Sequence, residues 1–302
     1  MERMPVDTFV RTMVLAGYTL DSANADEGYV ELEFHRNDRF GVLIPYDFVL
    51  YGAISKASVD AISRQCAADG RIAVFVGPPT GDVTANHMTF DEAMCRLGGP
   101  ANSWIALTPN LGTVLHELGC GRVPDGLDGT ADALFEGMVK ASLQYLLGNR
   151  VLGYGHERLF EAVPDGLAIY GTGPAALYDC KAYSKGYSVS SDDVRRFSDY
   201  VSDFNNRYRG RIEVSHFIVV TGEFLDSPTS LQARERELRS KCGAQLTVVT
   251  ASDLGTMVNL IAKVPTYRGS VNWSLLLSGN RVFPKDLERD LERIRRDGVM
   301  EE

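Results

Sequence analysis

Three residues able to do chemistry lie close together in VPDGLAIYGTGPAALYDCKAY, residues 163–183. Asp165 follows a proline, and fourteen residues later Asp179 and Lys181 form a D-x-K triplet. Side chains alternate faces along a strand, so Asp179 and Lys181 project to the same side. If DGLAIY and ALYDCKAY form a hairpin turning near Gly173, Asp165 lies opposite Lys181 and the three groups converge on one patch. Two carboxylates about 4 Å apart repel by roughly 4 kcal/mol at an effective dielectric near 20. A shared proton, a neighbouring cation or a metal must offset that repulsion. Hard oxygen ligands beside one ammonium favour Mg²⁺ or Mn²⁺, which bind phosphate oxygens and acidify bound water. A lysine beside the metal can orient water and neutralise developing charge. Metal-assisted phosphodiester hydrolysis is the reaction this set supports best; the rival reading is a surface ion cluster on an exposed sheet.

The elements that must position these residues follow a linker. VPDGL occurs twice, at 123–127 and 163–167. The first copy sits in GCGRVPDGLDGTAD, where Pro, Asp and Gly are ordinary turn chemistry, so a linker is placed at 121–129. After it, Thr130 can cap a helix over TADALFEGMVKASLQYLLG that Gly148 ends. The hairpin comes next, then a helix in SSDDVRRFSDYVSDFNNRY and a buried strand in SHFIVVTG. A helix in SPTSLQARERELRSKCG, the strand QLTVVT and the helix ASDLGTMVNLIAK complete the pattern, with a charged surface helix in FPKDLERDLERIRRDG. That order predicts a mixed central sheet flanked by helices over 130–302. Before the linker, YVELEFHR and RFGVLIPYDF read as a hairpin around Asn37-Asp38, followed by a helix in SKASVDAISRQCAAD. RIAVFVG reads as a strand, TFDEAMCRLG as a helix capped by Thr89, and SWIALTP as a strand. Residues 1–120 are therefore expected to form a separate N-terminal α/β domain.

P-D followed by D-x-K is the signature of the PD-(D/E)XK nuclease superfamily. The stretch PDGLAIY…YDCKAYSKGYSVSSDDVRRFSDYV resembles the cleavage domain of FokI-type restriction endonucleases. The likeness continues in order through HFIVVTGEF, LQARERELRSKCGAQ and LTVVTASDL, over about 130–265. It implies a restriction-endonuclease-like fold and a Mg²⁺- or Mn²⁺-dependent endonuclease, in a setting of bacterial restriction or antiviral defence. Asp165 and Asp179 would be metal ligands, Lys181 the catalytic lysine, and the Cys180 backbone carbonyl a further ligand. Glu136 resembles the acidic residue that the superfamily often places on its first helix. FokI-type domains meet through the helix equivalent to SSDDVRRFSDYVSDF, where Arg195 and Asp199 stand at i, i+4. A homodimer cutting both strands of DNA follows from that likeness. Residues 1–120 do not resemble the DNA-recognition part of such enzymes. They are expected to regulate the enzyme or to bind a partner or substrate, or to be a degenerate nuclease-like copy, in which no Lys follows YDFVL at the D-x-K spacing.

Composition narrows the partners. Residues 1–128 hold 9 Lys and Arg against 17 Asp and Glu, a net of −8 within a total of −9. Such a module grips a polyanion poorly, so little intrinsic sequence specificity for DNA is expected, and a protein partner for the acidic part. The most apolar stretch, FGVLIPYDFVLYGAI, is too short and polar to span a bilayer, and MERMPVDTF has no apolar signal segment. The five cysteines, at 66, 95, 120, 180 and 242, never form C-x-x-C. They suit reduced thiols of a cytoplasmic protein and argue against a structural zinc site. HELG at 116–119 lacks the second His of H-E-x-x-H, which rules out a zinc protease of that type. His156 and Glu157, and the aromatics Tyr183 and Tyr187, are candidates to flank the cleft. Two other readings remain: a non-enzymatic interaction protein on a nuclease scaffold, and an RNase or structure-specific repair nuclease.

Overall fold

The computed structural model describes residues 6–26, 28–37, 43–81, 86–96, 103–148, 150–154, 163–170, 174–209 and 212–299. The chain forms two compact units. The first comprises residues up to 99 with 265–270 and 294 onward; the second comprises 100–264 and 271–293.

In the first unit, helix α1 (Val6–Leu15) precedes strands β1 (Thr19–Asp26), β2 (Tyr29–Asn37) and β3 (Leu43–Tyr51). Helix α2 (Lys56–Ala68), strands β4 (Ile72–Val76) and β5 (His87–Met88) and helix α3 (Phe90–Arg96) follow. The strands lie side by side in chain order, antiparallel through β3 and parallel from β3 to β5. Phe9, Tyr18, Phe34 and Phe48 build the core on one face of this sheet, and Val49, Tyr51, Val59, Ile62 and Cys66 build it on the other. Spacing predicted α2 correctly: Val59, Ile62 and Cys66 are its buried residues. Thr89 caps α3 through reciprocal bonds with Glu92. Strand β1 escaped the sequence reading because TLDSANAD is polar and mostly exposed, as an edge strand can be.

The second unit opens with a 3-10 turn at Ser103–Leu107 and helix α4 (Leu111–Gly119). Helix α5 (Ala131–Leu147) leads into strands β6 (Val151–Gly153), β7 (Gly166–Ile169) and β8 (Pro174–Lys181). Helix α6 (Ser191–Arg207), strand β9 (Glu213–Thr221), helix α7 (Pro228–Cys242), strand β10 (Gln245–Thr250) and helix α8 (Ala251–Lys263) continue the alternation. Helices α9 (Trp273–Leu276) and α10 (Pro284–Val299) follow the segment 265–270. Again the strands run in chain order, antiparallel from β6 to β8 and parallel from β8 to β10. The caps follow sequence chemistry. Ser190 and Asp193 form a capping box at α6, Ser227 and Pro228 open α7, and Gly243 closes it in the left-handed region.

Two expectations are corrected here. SWIALTP is not a strand but the 3-10 turn at Ser103–Leu107. Among the described side chains there, Ile105 alone is buried, while Leu107 is 81% exposed, so the run lacks a continuous apolar face. The units also divide between 99 and 100, not within 121–129. Residues 111–119 form a helix whose Leu111, Leu115 and Leu118 are buried in the second unit. A Cβ on Gly255 of α8 would come within 2.5 Å of the Gly112 backbone, so the two helices cross at paired glycines. The Gly-Pro-Asp run at 119–129 is therefore a connection inside the second unit. Among the described residues, no helix is long and apolar enough to cross a membrane.

The two sheets share strand order and strand sense. Their β3 and β8 strands end differently on the face packed by the following helix. β8 ends there in Asp179 and Lys181, and β3 in the apolar-packed Val49 and Tyr51.

Candidate active site

Strands β7 and β8 pair Gly166 with Tyr178 and Leu167 with Leu177. One further step in that register sets Asp165 opposite Asp179, whereas a turn at Gly173 would have set it opposite Lys181. The offset is two residues, so every side chain keeps its face and the convergence survives. The turn itself, at 171–173, lies outside the described residues, as do His156 and Glu157. Leu177 belongs to the same buried cluster as Val194 and Phe197 of α6. Alternation then puts Asp179 and Lys181 on the α6 face, at the carboxyl end of β8 where it runs beside β9.

Gly166 makes the approach possible. A Cβ there would strike the Leu152 carbonyl oxygen and the Tyr178 ring. Tyr178, fully buried, donates its hydroxyl proton to that same carbonyl at 3.1 Å. The close strand contact fixes the start of β7, and the Asp165 carbonyl accepts from the Tyr154 amide at 2.6 Å.

The three groups meet. Lys181 Nζ is 2.5 Å from Asp179 Oδ2, and the Cys180 amide donates to Asp165 Oδ2 at 2.5 Å. Burial, reinforced by the charge of Asp179, pushes the Asp165 carboxyl up to about 8; Glu136 adds to the push and the Cys180 amide opposes it. The two carboxyl groups are close enough to share a hydrogen bond. Burial disfavours the Lys181 ammonium, but the Asp179 carboxylate outweighs this and holds its pKa above the ordinary lysine value. Asp179 Oδ2 is buried with the Lys181 ammonium as its ion-pair partner and no conventional hydrogen bond. Its side chain is only 7% exposed.

A buried Asp179 and a partly buried Asp165 whose carboxyl holds its proton well above the ordinary range, beside one ammonium, make an oxygen-rich set that suits a hard divalent cation. Asp165 and Asp179 are the carboxylates that could hold it. Glu136, on α5 and half-buried, feeds charge into the same cluster. The Cys180 thiol is held well above its usual pKa by burial and then by Asp165 and Asp179.

Two neighbours were not singled out from sequence. The charge of Arg196 opposes that of Lys181, and Arg196 pairs with Asp193 at 2.7 Å. Only its place one turn beyond the α6 capping box could have flagged it. Tyr178 reads as an ordinary strand aromatic until its hydroxyl is seen to fasten β6. Tyr183 and Tyr187 stack with ring centroids 5.6 Å apart. Tyr187 is buried in the core beside α6 and Tyr183 is about half exposed. Arg195 and Asp199 are both exposed on α6, but the intrachain partner of Arg195 is Asp192 at 3.5 Å.

A mixed sheet that brings P-D and D-x-K carboxylates and a lysine to one strand end is the architecture of a PD-(D/E)XK nuclease domain. The family profile of the FokI cleavage domain matches residues 115–276, over half of the chain, and the chain belongs to that family. Among solved structures it is similar to restriction endonuclease FokI, with 18% identity and a TM-score of 0.42 over 57% of this chain. FokI bound to DNA gives 17% identity and a TM-score of 0.43 over 70% of this chain. The matches span 30% and 37% of those chains. No curated protein matches this sequence.

Proposed function

We propose that the protein is a divalent-metal-dependent DNA endonuclease, working with Mg²⁺ or Mn²⁺ in restriction or antiviral defence. The observation that carries this reading is the Asp165–Asp179–Lys181 cluster at the end of β8, with Asp179 buried, in a chain of the FokI cleavage-domain family. A metal bound by Asp165, Asp179 and the Cys180 carbonyl would supply an activated water and charge neutralisation at the phosphate. The protein's own residues do the rest. Asp179 holds the Lys181 ammonium in place, and the raised pKa of Lys181 keeps it cationic at neutral pH. That cation can bind a phosphate oxygen and stabilise the charge that grows on it. The Cys180 amide orients Asp165. Glu136 adds a third carboxylate to the cluster, and Arg196 a second cation.

One such site cuts one strand per visit, so double-strand cutting calls for a homodimer related by a two-fold axis. The exposed α6 residues Arg195 and Asp199 are its proposed contacts. The acidic N-terminal unit, a sheet of like topology without the D-x-K end, would bind a protein partner and add little sequence preference for DNA. The test is supercoiled plasmid incubated with purified protein and Mg²⁺ or Mn²⁺. Nicking or linearisation by the wild type, abolished by EDTA and in Asp165→Ala, Asp179→Ala and Lys181→Ala, is expected. Undiminished cleavage by the Asp179 variant would remove the assignment from this site.

A further inference from the structure

A second cluster of ligating side chains lies within the second unit and takes no part in the site above. His116 and Cys120 stand four residues apart at the end of α4 and so share a helical face. Glu223 follows Gly222 in the turn after β9. Paired glycines bring the two together. A Cβ on Gly119 would be 2.7 Å from the Gly222 Cα, and one on Gly222 would be 2.8 Å from the Cys120 nitrogen. Only residues without side chains allow the helix end to rest on the turn. The backbone around them is well tied. The Tyr183 amide donates to the Gly119 carbonyl at 3.0 Å, the Tyr187 amide to the Glu223 carbonyl at 2.9 Å, and the Cys120 amide to the His116 carbonyl at 2.9 Å.

The hydrogen bonding sets the tautomer of His116. Its Nδ1 lies 3.2 Å from the Gly222 carbonyl, which can only accept, so Nδ1 carries the proton. Nε2 then presents a lone pair, and it lies 3.9 Å from Cys120 Sγ and 3.8 Å from Glu223 Oε1. All three ligand atoms are within 4.8 Å of one another. Tetrahedral zinc, with Zn–S near 2.3 Å and Zn–N and Zn–O near 2.0–2.1 Å, requires S···N and N···O separations of about 3.6 and 3.4 Å. The two gaps from Nε2 exceed these by a few tenths of an ångström, and the gap between the thiol and the carboxylate, within 4.8 Å, must close further. Glu223, whose side chain is 54% exposed, has the freedom to close them.

We propose that His116, Cys120 and Glu223 form a Zn²⁺ site distinct from the nuclease carboxylates. The donor set of one thiolate, one imidazole and one carboxylate is borderline in softness, which suits zinc and not Mg²⁺ or Mn²⁺. The thiolate and carboxylate charges together balance the ion, with the thiol proton released to solvent on binding. The Gly222 carbonyl supplies the outer-shell hydrogen bond that commonly orients a metal-bound histidine. Three protein ligands leave one position for water. The ion would fasten the end of α4 to the turn after β9, close to the segment that follows Lys181.

The experiment uses full-length protein in the Asp179→Ala background, stripped with chelator and dialysed against micromolar ZnCl₂. Metal per chain is measured by mass spectrometry, and Co²⁺ is titrated as a spectroscopic substitute. One zinc per chain and a thiolate-to-cobalt charge-transfer band are expected. Cys120→Ser should lose the band, and His116→Ala should weaken zinc binding at least about tenfold, the scale of losing a metal-site contact. Glu223→Gln should weaken it less, with circular dichroism unchanged in all three. The proposal is overturned if the parent binds no zinc, or if Cys120→Ser gives the same cobalt spectrum. In either case His116 and Glu223 are an ion pair only.

Discussion

Asp165 makes the second unit sensitive to pH, and replacing Asp179 with Asn should reduce that sensitivity. The folded Asp165 carboxyl titrates near 8, against an ordinary value of 3.8. Between these values the folded chain keeps a proton that the unfolded chain has released. Stability therefore falls as pH rises, and the loss is complete above about 8. One proton changes stability by about 1.4 kcal/mol per pH unit, which over the full gap gives an upper bound of roughly 6 kcal/mol. Burial is the first cause and remains in the variant. The Asp179 charge is the second, and removing it also releases Lys181 to pair with Asp165. Two unit charges about 4 Å apart at an effective dielectric near 20 interact by about 4 kcal/mol, which bounds the contribution of the Asp179 charge. The wild type should thus lose about 2 kcal/mol more than Asp179→Asn between pH 5 and pH 8, in urea unfolding with EDTA present. Glu31 of the first unit, pushed up to about 7 by burial and then by Asp47, titrates in the same direction. The comparison therefore rests on the difference between the two proteins and not on either slope alone. Parallel pH profiles for wild type and Asp179→Asn would refute the coupling between the two carboxyls.

Three other outcomes are expected. Gly166→Ala should destabilise the second unit by several kcal/mol, because its methyl has no room beside the Leu152 carbonyl and the Tyr178 ring; a melting temperature equal to wild type would contradict the register at Asp165. Ser190→Ala should cost about 1 kcal/mol by removing the α6 capping box, measured by chemical denaturation. Arg195→Asp and Asp199→Arg should each impair double-strand cutting but spare nicking, and an equimolar mixture should restore it. A monomer in sedimentation that still linearises plasmid would sink the α6 dimer.

The sequence by itself determined the local facts. Apolar spacing placed α2, α5 and the buried strands β9 and β10, and Thr89 and Gly148 marked helix ends because capping is settled within a few residues. The D-x-K spacing put Asp179 and Lys181 on one face of β8, since strand alternation needs no knowledge of neighbours. Tertiary structure decided what depends on distant partners. The pairing of Asp165 with Asp179 hangs on strand register, which a two-residue slip in an unseen turn leaves degenerate in facing. Residues 103–107 lacked a sheet to join and became a 3-10 turn. Helix α4 looked like the end of the first unit and packs in the second, because Gly112 meets Gly255 across 143 positions of sequence. The same long-range logic sets Cys120 beside His116 and Glu223. A ligand set split between a helix end and a turn more than a hundred residues away leaves no spacing signature for a sequence to display.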